Sequence, residues 1–256
     1  MPLTSTDAAF FDAHFAELGV RPGMKVLVHS SLVSFGRIEG GVATVYHALR
    51  RVLGEEGTVA VPTFTFHIRP EDVMDPATTP SRGFGALSEW LRKQPGALRS
   101  RCPIHGFASL GPAASVVATA DETKSFGLGS GFDAMHKAGF HLMLLGCNFQ
   151  QGATYVHHVE TLIGVPYREW IKLPRQLLDP DGKVRPITVD YYSRVRDTPW
   201  QPYLHRFQDS LIAQRRIRAA RAPYGQSFLI SLADLHRAAE ATLAADRFAF
   251  VSKDAA

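Results

Sequence analysis

A histidine and a glutamate three residues apart could supply acid–base chemistry. They are His157 and Glu160, within Thr-Tyr-Val-His-His-Val-Glu at residues 154–160. If this segment is helical, both side chains lie on one face, whereas His158 points about 100° away. A carboxylate beside an imidazole orients the ring and stabilises its cation, as a general base requires. A surface ion pair would show the same spacing, so the pattern alone leaves both interpretations open.

A second segment, residues 99–109, contains a histidine and a cysteine. His105 lies in a loop that enters an apolar stretch, and a lone histidine is more often structural than catalytic. Cys102 could be a nucleophile, but only Arg99 and Arg101 stand near enough in sequence to lower the pKa of its thiol. The segment therefore offers one candidate base and one candidate nucleophile.

A third segment, residues 29–41, is rich in serine and glycine. It follows a predicted strand and precedes a predicted helix, so its backbone N–H groups and the helix N-terminus could hold a phosphate. An ordinary strand-to-helix turn would have the same composition, and both interpretations stay open.

Short apolar runs alternate with helical patterns around these segments. The predicted strands are residues 25–29, 58–61, 140–145, 184–192 and 248–251. The predicted helices are residues 8–18 (capped by Ser5 or Asp7), 42–53, 84–92, 113–119, 154–163, 205–221 and 232–245. A long loop over residues 62–80 has the composition of a functional segment. The alternation predicts an α/β protein, and the absence of a linker-like segment predicts one domain over residues 1–256.

Composition excludes several classes of protein. Hydrophobic residues make up 45% and charged residues 20% of the 256, which argues against disorder. The sequence contains no apolar run of about 18 residues that would predict a transmembrane helix. Its first residues do not resemble a signal peptide. Cys102 and Cys147 are too few for a disulfide framework, so a reduced, cytoplasmic setting is expected.

The net charge of +4 is unevenly distributed. Residues 1–160 carry 13 basic and 14 acidic side chains, whereas residues 161–256 carry 15 and 10. This excess is too small to predict a nucleic-acid partner. A site for a polycation should be rich in carboxylates, so the asymmetry favours a ligand with phosphate or carboxylate groups. Four arginines (215, 216, 218 and 221) could form either a solvated helix face or an electropositive rim.

Several familiar motifs are missing from the sequence. Gly182-Lys183 lacks the glycine and hydroxyl residue of a Walker loop, and residues 127–131 (Gly-Leu-Gly-Ser-Gly) lack the spacing of a dinucleotide fingerprint. Neither a nucleophile elbow nor a His-Glu-x-x-His motif occurs. No second ligand cluster accompanies His157, His158 and Glu160, so no metal is expected.

Four segments together resemble the antibiotic (aminoglycoside 3-) N-acetyltransferase family. That family shows His-Ser-Ser-Leu…Phe-Gly…Glu-Gly-Gly, Pro-Thr-Phe-Thr, Arg-Ser-x-His-Pro-x-His-Ser-Phe-Ala and Thr-x-x-His-x-x-Glu. The corresponding segments here are residues 29–41, 62–65, 99–108 and 154–160, in the same order. The loop at residues 75–81 matches as well. The resemblance is strong over residues 15–170 and looser beyond them.

The resemblance implies a layered α/β/α single domain with a central mixed sheet and an acyl-CoA cleft. It implies acetyl-CoA as the donor, without a metal, and a small-molecule amine as the acceptor, bound mainly by residues 171–256. His157 would deprotonate the amine, Glu160 would orient His157, and His105 would be a third catalytic residue. The implied cofactor-binding residues are Ser30, Ser31, Leu32, Phe35, Gly36, Thr63, Arg99, Ser100 and Phe107.

Departures from the family pattern concern the acceptor more than the acyl transfer. Cys102 replaces a histidine of the third motif, Gly106 replaces its serine, and Gly131 stands where the family commonly has proline. The acidic loop that holds aminoglycosides is not seen after Gly182, and residues 194–197 (Arg-Val-Arg-Asp) occupy that region. We therefore expect an acceptor that is neutral or anionic apart from its reacting amine.

Two alternatives stay open at this stage. One is a natural-product acyltransferase that uses a bulkier acyl group or a carrier-protein thioester, since coenzyme A and an acyl carrier protein share the phosphopantetheine arm. The other is a non-catalytic coenzyme-A-binding homologue, against which the presence of both His157 and Glu160 argues. Neither a nucleic-acid nor a membrane partner is expected, and a homodimer is left open.

Overall fold

Strands and helices alternate along the chain as the sequence predicts. The computed structural model describes residues 4–253; the ends of the expected domain, residues 1–3 and 254–256, lie outside the described residues. The strands are β1 (Ser5–Thr6), β2 (Lys25–Ser30), β3 (Arg37–Ile38), β4 (Thr58–Pro62), β5 (Val73–Met74), β6 (Leu98–Arg99), β7 (Phe107–Leu110), β8 (His141–Leu145), β9 (Arg168–Leu178), β10 (Val184–Arg194), β11 (Gln201–Pro202), β12 (Arg218–Ala222), β13 (Gly225–Ser231) and β14 (Val251–Ser252). The helices are α1 (Ala8–Glu17), α2 (Gly41–Leu53), α3 (Ala86–Leu91), α4 (Ala114–Ala118), α5 (Gly131–Lys137), α6 (Phe149–Gly152), α7 (Tyr155–Ile163), α8 (His205–Ala213) and α9 (Leu232–Ala245), with a 3-10 turn at Leu32–Phe35.

A mixed seven-stranded sheet forms the centre, in the order β12-β13-β8-β2-β4-β7-β6. Strand β2 runs parallel to β4 and β8, and the remaining neighbours are antiparallel. The three central strands are almost continuously apolar, which is typical of strands covered on both faces.

Helices cover both faces of this sheet. Val26 and Val28 of β2 pack with α1, α2 and α3, whereas Leu27 belongs to a second cluster that includes residues of α4, α5, α7, α8 and α9. Successive side chains of a strand point to opposite faces, so this division defines an α/β/α sandwich. The predicted layered architecture is confirmed. Within residues 4–253, no helix is both long enough and apolar enough to span a membrane.

A long antiparallel hairpin, β9–β10, forms a smaller sheet with β5. Its turn lies at the predicted Asp-Pro-Asp-Gly sequence, where Gly182 adopts a φ of 79°. At the open end of the hairpin Arg168 lies opposite Arg194. This end, with the loop that follows β10, lies beside α7 and supplies one wall of the candidate site.

The prediction of a helix over residues 205–221 is wrong for its second half. Helix α8 ends at Ala213, Arg215 turns the chain with a φ of 54°, and Arg218–Ala222 is the edge strand β12. Alternate residues Ala220 and Ala222 are buried there, which is the period of a strand. The four arginines of this region therefore do not form a helix face, although all four are exposed.

The expected last strand is also displaced. Residues 248–250 form a turn, and the strand β14 begins at Val251 and pairs with β11. Strand β9 was not predicted because its sequence, Arg-Glu-Trp-Ile-Lys-Leu-Pro-Arg-Gln-Leu-Leu, mixes charged and apolar residues. Only Arg175 and Leu177 of β9 are buried, so burial imposes only a weak pattern on its sequence.

Candidate active site

The His157–Glu160 pair forms as the helical spacing predicts. Nδ1 of His157 lies 2.7 Å from Oε2 of Glu160, and the Glu160 side chain is only 1% exposed, against 21% for His157. Because a carboxylate accepts, we assign the hydrogen to Nδ1, which leaves on Nε2 the lone pair that a base needs. The pair is therefore a buried, oriented dyad that reaches solvent through the imidazole.

Two further side chains complete the surroundings of Glu160. The Tyr167 hydroxyl donates to Oε1 at 2.8 Å, and Nε of Arg168 lies 2.6 Å from Oε2. Helix α7 ends at Ile163, and Gly164 after it adopts a left-handed conformation, so the chain reverses and brings the start of β9 back against the helix. Burial by itself would raise the pKa of Glu160, but His157, Arg168 and Tyr167 together hold it below its ordinary value.

The electrostatic surroundings keep His157 neutral. Burial lowers its pKa below the ordinary 6.5, Arg168 lowers it further, Glu160 opposes the shift, and Arg194 adds a smaller lowering. Nη2 of Arg168 lies 2.9 Å from Nδ1 and 3.2 Å from Nε2 of His157. At neutral pH the imidazole can therefore accept a proton, and Glu160 is positioned to stabilise the resulting cation.

His157 opens into a cleft of about 590 Å³, which we call the arginine cleft. Its wall consists of the end of the β9–β10 hairpin and the loop after it. Its charged lining, apart from His157, is three arginines and one aspartate. The lining residues are His157, Arg168, Tyr191, Ser193, Arg194, Val195, Arg196, Asp197, Thr198, Trp200, Gln201 and Pro202.

A second cleft of about 400 Å³, which we call the serine cleft, lies at the end of β2. Thr154 lines the serine cleft and His157, one helical turn later, lines the arginine cleft, so the two clefts meet α7 within one turn. The lining residues are His29, Ser30, Ser31, Leu32, Val33, Gly83, Phe84, Gly85, Ala86, Cys147, Gln151 and Thr154. The candidates Ser30, Ser31 and Leu32 are thus gathered in one cleft.

The other cofactor candidates lie outside the linings of both clefts. Phe35, Phe107 and Thr63 are buried. Gly36 adopts a φ of 70°, and a Cβ on this residue would collide with the Thr4 carbonyl oxygen. Direct contact of these residues with a cofactor stays a prediction.

Arg99 and Ser100 hold the loop that precedes β7. Arg99 donates to the Thr63 carbonyl at 3.0 Å and to the Thr79 carbonyl at 2.5 Å, which ties β6 to the long loop after β4. Ser100 Oγ accepts from the Phe107 amide at 2.8 Å. Their side chains are thus engaged within the protein, and their role toward a cofactor is likewise still a prediction.

His105 lies in an aromatic cage near the dyad. Its ring is 4.3 Å from that of Phe126 and 4.5 Å from that of Phe64, and its Nδ1 has no hydrogen-bond partner within the described residues. Burial holds its pKa well below 6.5, and the neighbouring His157 and Arg168 lower it further. His105 is therefore neutral at physiological pH and makes no hydrogen bond to His157, so its catalytic role stays a prediction.

Cys102 has the surroundings of an inert thiol. It is buried, and burial raises its pKa despite hydrogen bonds from Ile104, His105 and Ser125. Arg101, a candidate for activating it, pairs with Glu122 at 2.8 Å and with Asp179. A thiol with a raised pKa carries little thiolate at neutral pH and is a poor nucleophile.

We expect Cys102→Ala to retain substantial acyl-transfer activity, because the reaction does not need this thiol. The check is kcat for the variant, together with mass spectrometry of a digest after incubation with an acyl donor. An acylated Cys102 peptide that forms and decays at the rate of turnover would contradict this expectation and imply a ping-pong route.

Sequence reasoning missed the role of Tyr167 toward Glu160. The available signal was Gly164-Val-Pro-Tyr-Arg168 directly after α7, since a helix end followed by proline predicts a chain reversal. Trp200 and Thr198, which line the arginine cleft, were also missed. Among residues 4–253 no group of three His, Cys, Asp or Glu side chains could hold a metal ion.

Known proteins resemble this chain in sequence and fold. The family model described as aminoglycoside 3-N-acetyltransferase matches residues 27–244. An aminoglycoside N(3)-acetyltransferase III from Acinetobacter baumannii is 30% identical over 194 residues, which cover 69% of this chain and 68% of the relative. The apoenzyme of aminoglycoside acetyltransferase AAC(3)-IVa has a TM-score of 0.79 at 26% identity, covering 96% of this chain and 92% of that one. The AAC-IIIb binary complex with CoASH has a TM-score of 0.83 at 23% identity, covering 96% and 98%, and shows a shared fold.

Proposed function

The chain belongs to the aminoglycoside 3-N-acetyltransferase family, and from this membership we propose an acetyl-CoA-dependent N-acetyltransferase whose acceptor is not a typical aminoglycoside. As a member of this family, the protein is an acyltransferase with acetyl-CoA as the donor and a small-molecule amine as the acceptor. The observation that carries the finer proposal is the lining of the arginine cleft, where three arginines and one aspartate surround the candidate base.

The serine cleft fits the donor. Ser30 Oγ is buried without a hydrogen-bond partner in the described residues, so it is free to bond a ligand. Gly85, with a φ of 86°, leaves open the space beside Ser30, because a Cβ there would lie 2.7 Å from the Ser30 carbonyl oxygen. Ser30, Ser31 and Leu32 would hold the pantetheine arm, and the bound donor supplies an activated acetyl thioester.

His157 would remove the proton of the acceptor amine. An amine is nucleophilic only when it has lost its proton, and the neutral imidazole offers Nε2 as the base. Glu160 would stabilise the imidazolium through Nδ1 while it holds the proton. Nη2 of Arg168, 3.2 Å from Nε2, limits how basic the resting imidazole is. The amine nitrogen would then bond to the acetyl carbon as the carbon–sulfur bond of the thioester breaks, and the proton taken up by His157 would balance the proton that the departing thiolate needs to become a thiol.

The charge of the arginine cleft opposes a polycationic acceptor. Each ammonium of an aminoglycoside must exchange its water shell for paired negative charge when it binds. Among the charged residues that line the cleft, only Asp197 could supply such charge, beside Arg168, Arg194 and Arg196. This composition supports an acceptor that is neutral or anionic apart from its reacting amine.

We expect gentamicin and related aminoglycosides to be poor substrates. The measurement is steady-state release of coenzyme A with several aminoglycosides and with a panel of neutral and anionic amines. Calorimetry with coenzyme A, run on the same preparation, checks that the donor site is intact. Efficient turnover of several aminoglycosides, with kcat/KM of about 10⁴ M⁻¹s⁻¹ or more, would disprove the restriction on the acceptor.

A further inference from the structure

Two arginines face each other across the open end of the β9–β10 hairpin. Arg168 and Arg194 are directly opposite in the antiparallel register, so their side chains share one face of the hairpin. Like charges at opposed positions destabilise a sheet. Glu160 compensates Arg168 at 2.6 Å, but it contacts no other arginine. Glu160 therefore offsets the charge of Arg168 but not the charge of Arg194.

Arg194 and Arg196 lack a carboxylate partner. Within residues 4–253, neither lies within 4.0 Å of an acidic side chain, and Arg194 donates instead to the neutral Gln201 Oε1. Arg185 of the same strand differs, since it pairs with Glu122 and Asp179. Arg185, near the turn, thus has carboxylate partners, whereas Arg194 and Arg196 line the arginine cleft with His157 and have none among the described residues.

We propose that Arg194 and Arg196 bind an anionic group of the acceptor, so that the enzyme acetylates amines that also carry a phosphate, phosphonate or carboxylate. The inference rests on the proposed function and adds the substrate class. Guanidinium groups bind the oxygens of such groups through paired, charge-assisted hydrogen bonds. A cleft of about 590 Å³ holds a small molecule that spans from these arginines to His157.

A bound anion would also strengthen the base. The charged and titratable groups facing His157 are Glu160 on its own helix, Arg168, Arg194 and the neutral His105. Arg194 contributes to the low pKa of His157, so an anion bound to Arg194 offsets that contribution. The pKa seen in kcat should therefore lie above the pKa seen in kcat/KM for an anionic acceptor.

The test uses amines that share a two-carbon spacer and differ in charge at the far end. The terminal group is a phosphate in O-phosphoethanolamine, a carboxylate in β-alanine, a hydroxyl in ethanolamine and a second amine in ethylenediamine, so it also differs in size and hydrogen-bonding capacity. Dissociation constants are measured with coenzyme A at saturation, so that phosphate sites for the donor are already filled. We expect wild-type protein to bind phosphoethanolamine at least about tenfold more tightly than ethanolamine, and ethylenediamine most weakly. The preference should shrink as ionic strength rises.

Variants assign the preference to the two arginines. The double variant Arg194→Gln, Arg196→Gln should bind phosphoethanolamine and ethanolamine about equally. The control Arg215→Gln, Arg216→Gln removes two exposed arginines outside both clefts and should keep the full preference. A preference that persists in the first double variant would overturn the proposal. So would equal binding by wild-type protein, or phosphoethanolamine binding that coenzyme A abolishes, which would assign the arginines to the donor.

Failure of this inference can be told apart from failure of the proposed function. If acetyl transfer depends on His157 and neutral and anionic amines are used equally well, the function stands and the anion site is wrong. If phosphoethanolamine binding depends on the two arginines but no amine is acetylated, the anion site stands and the function is wrong.

Discussion

The His157→Ala variant is expected to lose roughly 10²–10⁴-fold in kcat while its affinity for coenzyme A stays nearly unchanged. His157 is the group of the dyad that reaches the arginine cleft, and the serine cleft assigned to the donor does not include it in its lining. Removing the imidazole therefore removes the base without altering the donor site. Steady-state kinetics gives kcat, and calorimetry gives the coenzyme A affinity.

His47→Ala is the matched control, because His47 is an exposed histidine on α2 outside both clefts. It should keep wild-type kcat and wild-type coenzyme A affinity. If His157→Ala also kept wild-type kcat, the assignment of the base would be wrong. If His157→Ala instead lost coenzyme A affinity by the same factor as kcat, His157 would belong to the donor site.

The pH profile gives the same assignment a second readout. Burial and Arg168 lower the pKa of His157 below 6.5, so the base is active above that pKa and activity falls as pH drops through it. For wild-type protein the acidic limb of kcat/KM should therefore lie below pH 6.5. In Arg168→Gln, which loses the neighbouring cation, the limb should move to higher pH. An inflection that stays in place in Arg168→Gln would show that a group other than His157 titrates.

Much of the central fold and the dyad could be predicted from local patterns. The runs Lys-Val-Leu-Val-His and His-Leu-Met-Leu-Leu are buried on both faces, so they are apolar throughout and easily recognised. His157 and Glu160 meet because residues three apart on a helix are neighbours, which requires no knowledge of tertiary structure. Asp7 caps α1 through its own side chain, as one of the two predicted caps.

Contacts between segments that are distant in sequence could not be predicted from such local patterns. Arg99 is near Cys102 in sequence, but its guanidinium anchors the long loop after β4, so adjacency did not indicate activation of the thiol. Residues 218–221 were predicted as helix, whereas pairing with β13 makes them a strand. The arginine cleft likewise depends on how the β9–β10 hairpin meets α7.

Replacement of Glu160 should have the largest effect on stability. In Glu160→Ala, Arg168, whose side chain is 6% exposed, loses its carboxylate, and the Tyr167 hydroxyl loses its acceptor. Breaking a buried ion pair by removing one partner costs about 3–5 kcal/mol, because the remaining charge is left uncompensated. Urea unfolding at pH 7 measures the loss, and Glu169→Gln, an exposed glutamate on β9, is the control with an expected change within about 0.5 kcal/mol.

Glu160→Gln separates the charge from the shape of the side chain. The folded-state pKa of Glu160 lies below its ordinary 4.5, so its charge stabilises the fold fully above pH 4.5 and progressively less as pH falls through the folded pKa. The difference in unfolding free energy between wild-type protein and Glu160→Gln should accordingly be largest near neutral pH and shrink on acidification. A difference that is independent of pH would mean that the pKa of Glu160 is the same in the folded and the unfolded protein, so that its charge makes no net contribution to stability.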